Sequence, residues 1–220
     1  MTEKKDSKRN VNTRTVKLTV SAMMIALAFV LNMIKIFQMP QGGDVTLFSM
    51  LPICIVAHLY GTKWGILTGA VYGVLQALTS GYTPTNREMT ILQFSLMMFL
   101  DYILAYSVLG LTGIFRGKFK NKMLGFILGI SVAAILRLSV HTVSGYILFA
   151  AYAEAYFAQE VLGGFGQWVL TNLSGGGLVW FYSLVYNATY LLPETILTII
   201  AGSFIRIALE QMERRQLANN

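Results

Sequence analysis

Long apolar stretches alternate with short polar ones along the whole of this 220-residue chain. Six apolar runs stand out, at about 17–37, 46–60, 64–78, 91–115, 123–151 and 179–205. A helix of about 20 apolar residues spans the hydrocarbon of a bilayer. The pattern therefore predicts an all-α integral membrane protein with six transmembrane helices over residues 17–206, a basic cytoplasmic tail at 1–16 and a second cytoplasmic tail at 207–220. The second run is short and contains Pro52; a broken span is tolerated only where protein or a water-filled cavity surrounds it. The loop before it, QMPQGGDVT at 38–46, is placed to lid such a site. In the third run Gly65, Gly69 and Gly73 recur every fourth residue, a face that brings helices close. The Gly-rich, aromatic connection from Tyr152 to Leu178 has no role legible in the pattern.

Composition agrees with a single polytopic domain: 55% of residues are hydrophobic and 12% charged, with mean hydropathy +0.59. A basic start before an apolar run is also how a signal peptide begins. Here the run is long, no small-residue cleavage site follows, and more spans come after it, so it is read as a retained helix. One cysteine, Cys54, excludes an intrachain disulfide and a cysteine metal site. A net charge of +7 raises the question of nucleic acid, but the basic residues sit beside apolar segments and form no folded basic face. Membrane topology accounts for them, and no nucleic-acid partner is expected. With both termini inside, the tail, Lys63, Arg116, Lys118, Lys120, Lys122, Arg206, Arg214 and Arg215 are cytoplasmic, as the positive-inside rule requires. Asp44, Glu88, Glu154 and Glu160 then lie outside, and an outward-facing cavity would sit beneath the external loops.

The residue that demands a chemical explanation is Asp101, near the middle of the fourth run. A charged side chain at the bilayer centre costs about 2.5–3.5 kcal/mol, so it persists where it faces a bundle interior. With Tyr102 and Tyr106 beside it, such a carboxylate suits a partly aromatic cation. In the fifth run Arg137 and His141 are four residues apart and Phe149 continues their face. Arg137 either pairs with Asp101 or Glu194 or meets a ligand, and the pattern leaves both open. The sixth run opens with Tyr182, Tyr186, Asn187 and Tyr190; interfacial belts predict some of these tyrosines, but an amide in an apolar helix needs partners and can serve a heterocycle. Tyr72, among the glycines of the third run, either packs or lines a pocket. Ala22 and Ala26 form a small-xxx-small face for a neighbour inside the bundle or outside it. No phosphate-binding loop, HExxH zinc motif or GxSxG nucleophile is present, so no cofactor is expected and ATP hydrolysis by this chain alone is excluded.

The motifs MPQGG, LDY, LRxxxHxxSG and YSLxYNATYxxP, in that order, resemble those of the thiamine-specific S component of energy-coupling factor transporters. The resemblance runs from the first helix to about residue 200. It implies a six-helix, high-affinity thiamine-binding subunit in the prokaryotic plasma membrane, coupled to a membrane T component and two cytoplasmic ATPases. It further implies that Asp101 faces the ligand's positive charge, that Tyr102, His141, Phe149, Tyr182 and Asn187 line the pocket, that Tyr72 occupies a corresponding aromatic position, and that Ala22 and Ala26 dock on the T component. Departures exist: some relatives have Glu at the position of Asp101 and Trp at those of Tyr72 and Phe149, and the first loop here has no Trp.

Thiamine joins an aminopyrimidine to a permanently cationic thiazolium, and these residue types match it. Three other readings remain at the level of sequence. One is an S component for a different vitamin or precursor, such as hydroxymethylpyrimidine or riboflavin. Another is an intramembrane enzyme using Asp101 and His141 as acid and base, and the last is a purely structural membrane subunit.

Overall fold

The computed structural model describes the backbone of residues 2–40 and 42–218 and the side chains of 14–40 and 42–207. Gln41 of the first loop and most side chains of the two expected tails lie outside the described residues. Helix α1 runs Thr2–Met33, reaching back through the basic segment expected as a cytoplasmic tail; no Gly or Pro interrupts residues 2–33. It also stops short of Phe37. Lys35–Gln38 forms β1, which pairs antiparallel with β2, Asp44–Thr46. The expected loop is thus a small hairpin.

Helix α2 spans Leu51–Tyr60. Pro52 stands in its first turn, where the missing N–H would have had no partner anyway, so it starts this helix and breaks nothing. At 10 residues α2 rises only about 15 Å, half a bilayer. After Gly61 comes α3, Thr62–Thr79. Helix α4, Ile91–Phe115, opens with a capping box in which Thr90 and Gln93 satisfy each other's backbone N–H groups. Helix α5, Lys122–Leu148, is capped by Asn121. The connection left unassigned by sequence folds into α6, Ala153–Phe157, and α7, Gly163–Asn172. Helix α8 closes the chain over Gly175–Ala218.

Among the described residues, four helices are long and apolar enough to cross a membrane: Arg14–Met33 of α1, all of α4, all of α5, and Gly175–Ile207 of α8. The glycine face of α3 does what its spacing predicts. A Cβ on Gly73 would stand 2.6 Å from the Tyr102 carbonyl oxygen, and one on Gly69 would collide with that of Tyr106. Gly110 of α4 returns the contact, meeting the backbone of Ile66. Helices α3 and α4 therefore lie backbone to backbone, which holds the Asp101 segment rigidly in place. Two apolar clusters complete the core. One gathers Ile53, Tyr72, Tyr106, Leu109 and Ile130; the other packs Phe157 and Val169 of the connection under Tyr182, Tyr186 and Tyr190 of α8.

Candidate functional site

Between these clusters lies a cavity of about 460 Å³, within the roughly 300–1,000 Å³ range of small-molecule sites. Its walls come from the C-terminal ends of α1 and α3, the middle of α4, the second half of α5, the first half of α8 and the β1–β2 hairpin. All the ends that meet here are at one end of the bundle.

Asp101 enters it from an irregular stretch. Residues Met98–Leu104 of α4 form a π-helix, in which each residue turns through a smaller angle than in an α-helix. Adjacent side chains Asp101 and Tyr102 consequently both reach the cavity, and such segments concentrate at functional sites. The carboxylate does not stand alone. Nδ1 of His141 lies 2.9 Å from its Oδ1, and the Ser144 hydroxyl donates to its Oδ2 at 2.8 Å. With Nδ1–H directed at the carboxylate, a neutral imidazole presents Nε2 as an acceptor. That Nε2 is buried and has no hydrogen-bond partner among the described residues.

Arg137, one turn before His141, takes the other option left open by sequence. Its Nη1 lies 3.6 Å from Oε2 of Glu194, and its guanidinium stacks over the Tyr106 ring with the carbon 4.7 Å from the centroid. Thr46 and Ser49 donate to Glu194 Oε1 at 2.6 and 3.1 Å. The pair forms the floor of the cavity and ties the segment after the hairpin to α8. Glu194, named by sequence only as a possible partner of Arg137, is 2% exposed and lines the cavity with it.

Asn187 donates to the carbonyls of Ser183 and His141 at 2.8 and 3.3 Å and accepts from the Tyr190 hydroxyl at 2.7 Å. It braces α8 against α5 where Gly145 lets Ser183 approach. The hairpin roofs the site. Tyr186 donates to the Gly42 carbonyl at 3.0 Å, Lys35 pairs with Asp44 at 2.8 Å, and Arg87, stacked 3.7 Å over Tyr82, reaches the cavity mouth from the α3–α4 loop.

Of the residues predicted from sequence, Asp101, Tyr102, His141, Phe149, Tyr182 and Asn187 line this one cavity. Tyr72 does not. It is fully buried behind the wall, edge-on to Tyr106, donating to the Ala28 carbonyl and accepting from Gln76. The glycine ladder that draws α3 onto α4 closes the space its ring would need to reach the cavity. Ala22 and Ala26 lie on the exposed face of α1, not in the bundle. Sequence reading missed Ser144, Gln76 and Arg87. Ser144 left a signal, three residues after His141 on the same helical face, and so did Gln76, an amide within an apolar helix.

The model of the family described as "Thiamine transporter protein" matches residues 18–161. The chain belongs to this family. It is accordingly a multi-pass cell-membrane transport protein and not an enzyme. A thiamine transporter of Bacillus subtilis (strain 168) is 28% identical over 202 residues, covering 87% of this chain and 90% of that protein. One from Lacticaseibacillus paracasei is 25% identical over 171 residues, covering 73% of each. The solved structure of ThiT from Listeria monocytogenes shares the fold, with a TM-score of 0.64 over 88% of this chain and 94% of that one at 21% identity.

Proposed function

We propose that this member of the family is the high-affinity thiamine-binding S component of an energy-coupling factor transporter. It captures thiamine from outside and delivers it through a complex with a T component and two cytoplasmic ATPases. Helix α3 and the short α2, with the hairpin segment before it completing the crossing, bring the membrane-crossing segments to six, and both termini are cytoplasmic. Lys17, Lys63, Arg116, Lys118 and Lys122 at the end away from the cavity support that orientation. The exposed Ala22–Ala26 face of α1 docks the T component.

The observation that carries the reading is a carboxylate inside a cavity walled by aromatic rings, Asp101 among Tyr102, Tyr106, Tyr182, Tyr186 and Tyr190. A permanent organic cation meets both the charge and the ring faces there. His141 Nε2 accepts from the exocyclic amine of the aminopyrimidine, while Phe149 and Tyr182 offer flat surfaces to a ring. The hairpin, with two glycines and an Asp44–Lys35 pair, admits the ligand from outside. Neutralising Asp101 offsets part of the cation's desolvation.

Calorimetric titration of the purified protein in detergent with thiamine, riboflavin and hydroxymethylpyrimidine tests this. Tight one-to-one binding of thiamine alone is expected. Binding of a neutral ligand without thiamine would overturn the charge argument, and no binding at all would overturn the capture role.

A further inference from the structure

Asn32 of α1 and Gln76 of α3 are amides set among apolar residues, and both line the cavity. The Asn32 amide nitrogen donates to Gln76 Oε1 at 3.3 Å. Gln76 Nε2 donates to the Tyr72 hydroxyl, and that hydroxyl donates to the Ala28 carbonyl at 3.2 Å. Gln76 is 6% exposed and Tyr72 fully buried, so the inner end of this network is sealed from bulk water.

That inner end fixes the direction of every bond in it. A carbonyl only accepts, and two oxygens 3.2 Å apart repel unless a proton lies between them, so the Tyr72 proton goes to Ala28. Tyr72 then has only a lone pair to offer Gln76, which turns its NH2 toward the phenol and its carbonyl toward Asn32. Asn32 answers with its own NH2. Its Oδ1 is left over, and no group among the described residues donates to it. A half-buried side chain on the cavity wall thus carries an acceptor whose identity is set at the far end of the network.

Thiamine has two groups that donate hydrogen bonds, the exocyclic amine and the hydroxyl that ends the arm on the thiazolium; the pyrimidine nitrogens only accept. In the reading above His141 takes the amine and Asp101 the thiazolium charge. The hydroxyl is the donor that remains, and it is neutral, as is the amide oxygen. Asn32 stands in the last turn of α1, just before the hairpin begins at Lys35, between wall and roof.

We infer that Asn32 is a specificity-determining residue whose Oδ1 accepts the hydrogen bond of the ligand's hydroxyl, with Gln76 and Tyr72 as positioning residues that keep this oxygen available. The assignment rests on the thiamine reading and adds the group by which the chain tells an alcohol arm from an alkyl one.

Calorimetric titration of the full chain in detergent, with thiamine and with the analogue whose hydroxyethyl arm is plain ethyl, tests it. The readout is the ratio of two affinities within one protein, in which a general weakening of the fold cancels. Wild type should bind thiamine roughly fivefold more tightly than the analogue, the worth of one neutral hydrogen bond. Asn32→Ala should bind the two alike, and Asn32→Met takes its place if the smaller side chain unsettles α1. Gln76→Leu keeps the acceptor but lets Asn32 turn, so its ratio should fall between. An undiminished ratio in Asn32→Ala would overturn the assignment, and one in Gln76→Leu would overturn the positioning role. Wild type that binds both compounds equally leaves the thiamine reading standing and removes Asn32 from recognition. Wild type that binds neither overturns the thiamine reading, and the assignment falls with it.

Discussion

Asp101 and His141 meet across the α4–α5 interface with Oδ1 and Nδ1 2.9 Å apart, so the carboxylate at the centre of the cavity is held in place before any ligand arrives. Pre-orientation of this kind lowers the ordering cost of binding. Asp101→Asn keeps the shape and removes the charge. Hydrogen bonds to charged groups contribute about 1.5–3 kcal/mol, so thiamine affinity should fall roughly tenfold to a little over a hundredfold. Calorimetry reads the loss, and unaltered circular dichroism and gel-filtration profiles show that the fold persists. Unchanged affinity would remove Asp101 from the site.

Ser144 donates to the second carboxylate oxygen at 2.8 Å and is 1% exposed. Ser144→Ala leaves the charge and frees one oxygen to swing. The hydroxyl acts on the ligand only through the carboxylate it orients, so part of its bond energy is felt in binding: the expected loss of thiamine affinity is roughly fivefold, about 1 kcal/mol and less than for Asp101→Asn. A loss as large as that of Asp101→Asn would show that the hydroxyl itself is a ligand contact.

Gly43 in the hairpin has φ +95°, and a Cβ there would stand 2.5 Å from the Tyr190 ring. Gly81 has φ +72° with nothing within 4 Å. Both substitutions to Ala incur left-handed strain of about 1–2 kcal/mol, but only Gly43→Ala must also push the roof off α8. Thermal unfolding should therefore drop further for Gly43→Ala, and thiamine binding should weaken in that variant alone. Equal effects on binding would mean that the hairpin does not close over the ligand.

Much of this site can be read from residue types and spacing, and what cannot has physical causes. Asp101 stands out because a carboxylate in an apolar run is expensive, and Arg137, His141 and Phe149 because helical geometry puts them on one stripe. The π-helix at Met98–Leu104 has no such signal: hydrophobic periodicity is much the same with one extra residue in a turn, and only the packing of α3 glycines against that backbone favours it. Tyr72 shows the converse. Its neighbours are glycines, which suggest open space, yet those glycines bring α4 so close that Tyr106 takes the cavity wall and Tyr72 falls behind it. The partner of Arg137 depended on whether the residue after Pro193 faced inward, and that turns on how α8 lies against α5.

Tyr72→Phe tests that displacement. The hydroxyl bonds to the Ala28 carbonyl, behind the cavity wall, and to Gln76, which itself lines the cavity. Losing a neutral buried hydrogen bond should cost about 1 kcal/mol of stability, with thiamine affinity changing less than for Ser144→Ala. A larger loss of affinity than of stability would mean that the Tyr72 hydroxyl acts on the ligand, directly or through Gln76.

The Arg137–Glu194 pair has a different job. Both side chains are almost wholly buried, at 5% and 2% exposure, and their 3.6 Å separation is too long for an ideal bidentate pair. Removing one partner leaves an uncompensated charge in the floor, which costs about 3–5 kcal/mol, whereas replacing both with apolar groups of similar volume is often neutral or stabilising. Glu194→Gln and Arg137→Met should therefore each lower the unfolding temperature sharply. The double variant Arg137→Met/Glu194→Leu should recover most of the loss, although Thr46 and Ser49 then lose their acceptor. Thiamine affinity separates structure from recognition: if the pair only supports the floor, the double variant binds within a fewfold of wild type. If it binds far more weakly while unfolding at a normal temperature, Arg137 shapes the ligand's electrostatic surroundings directly, and the floor belongs to the binding site.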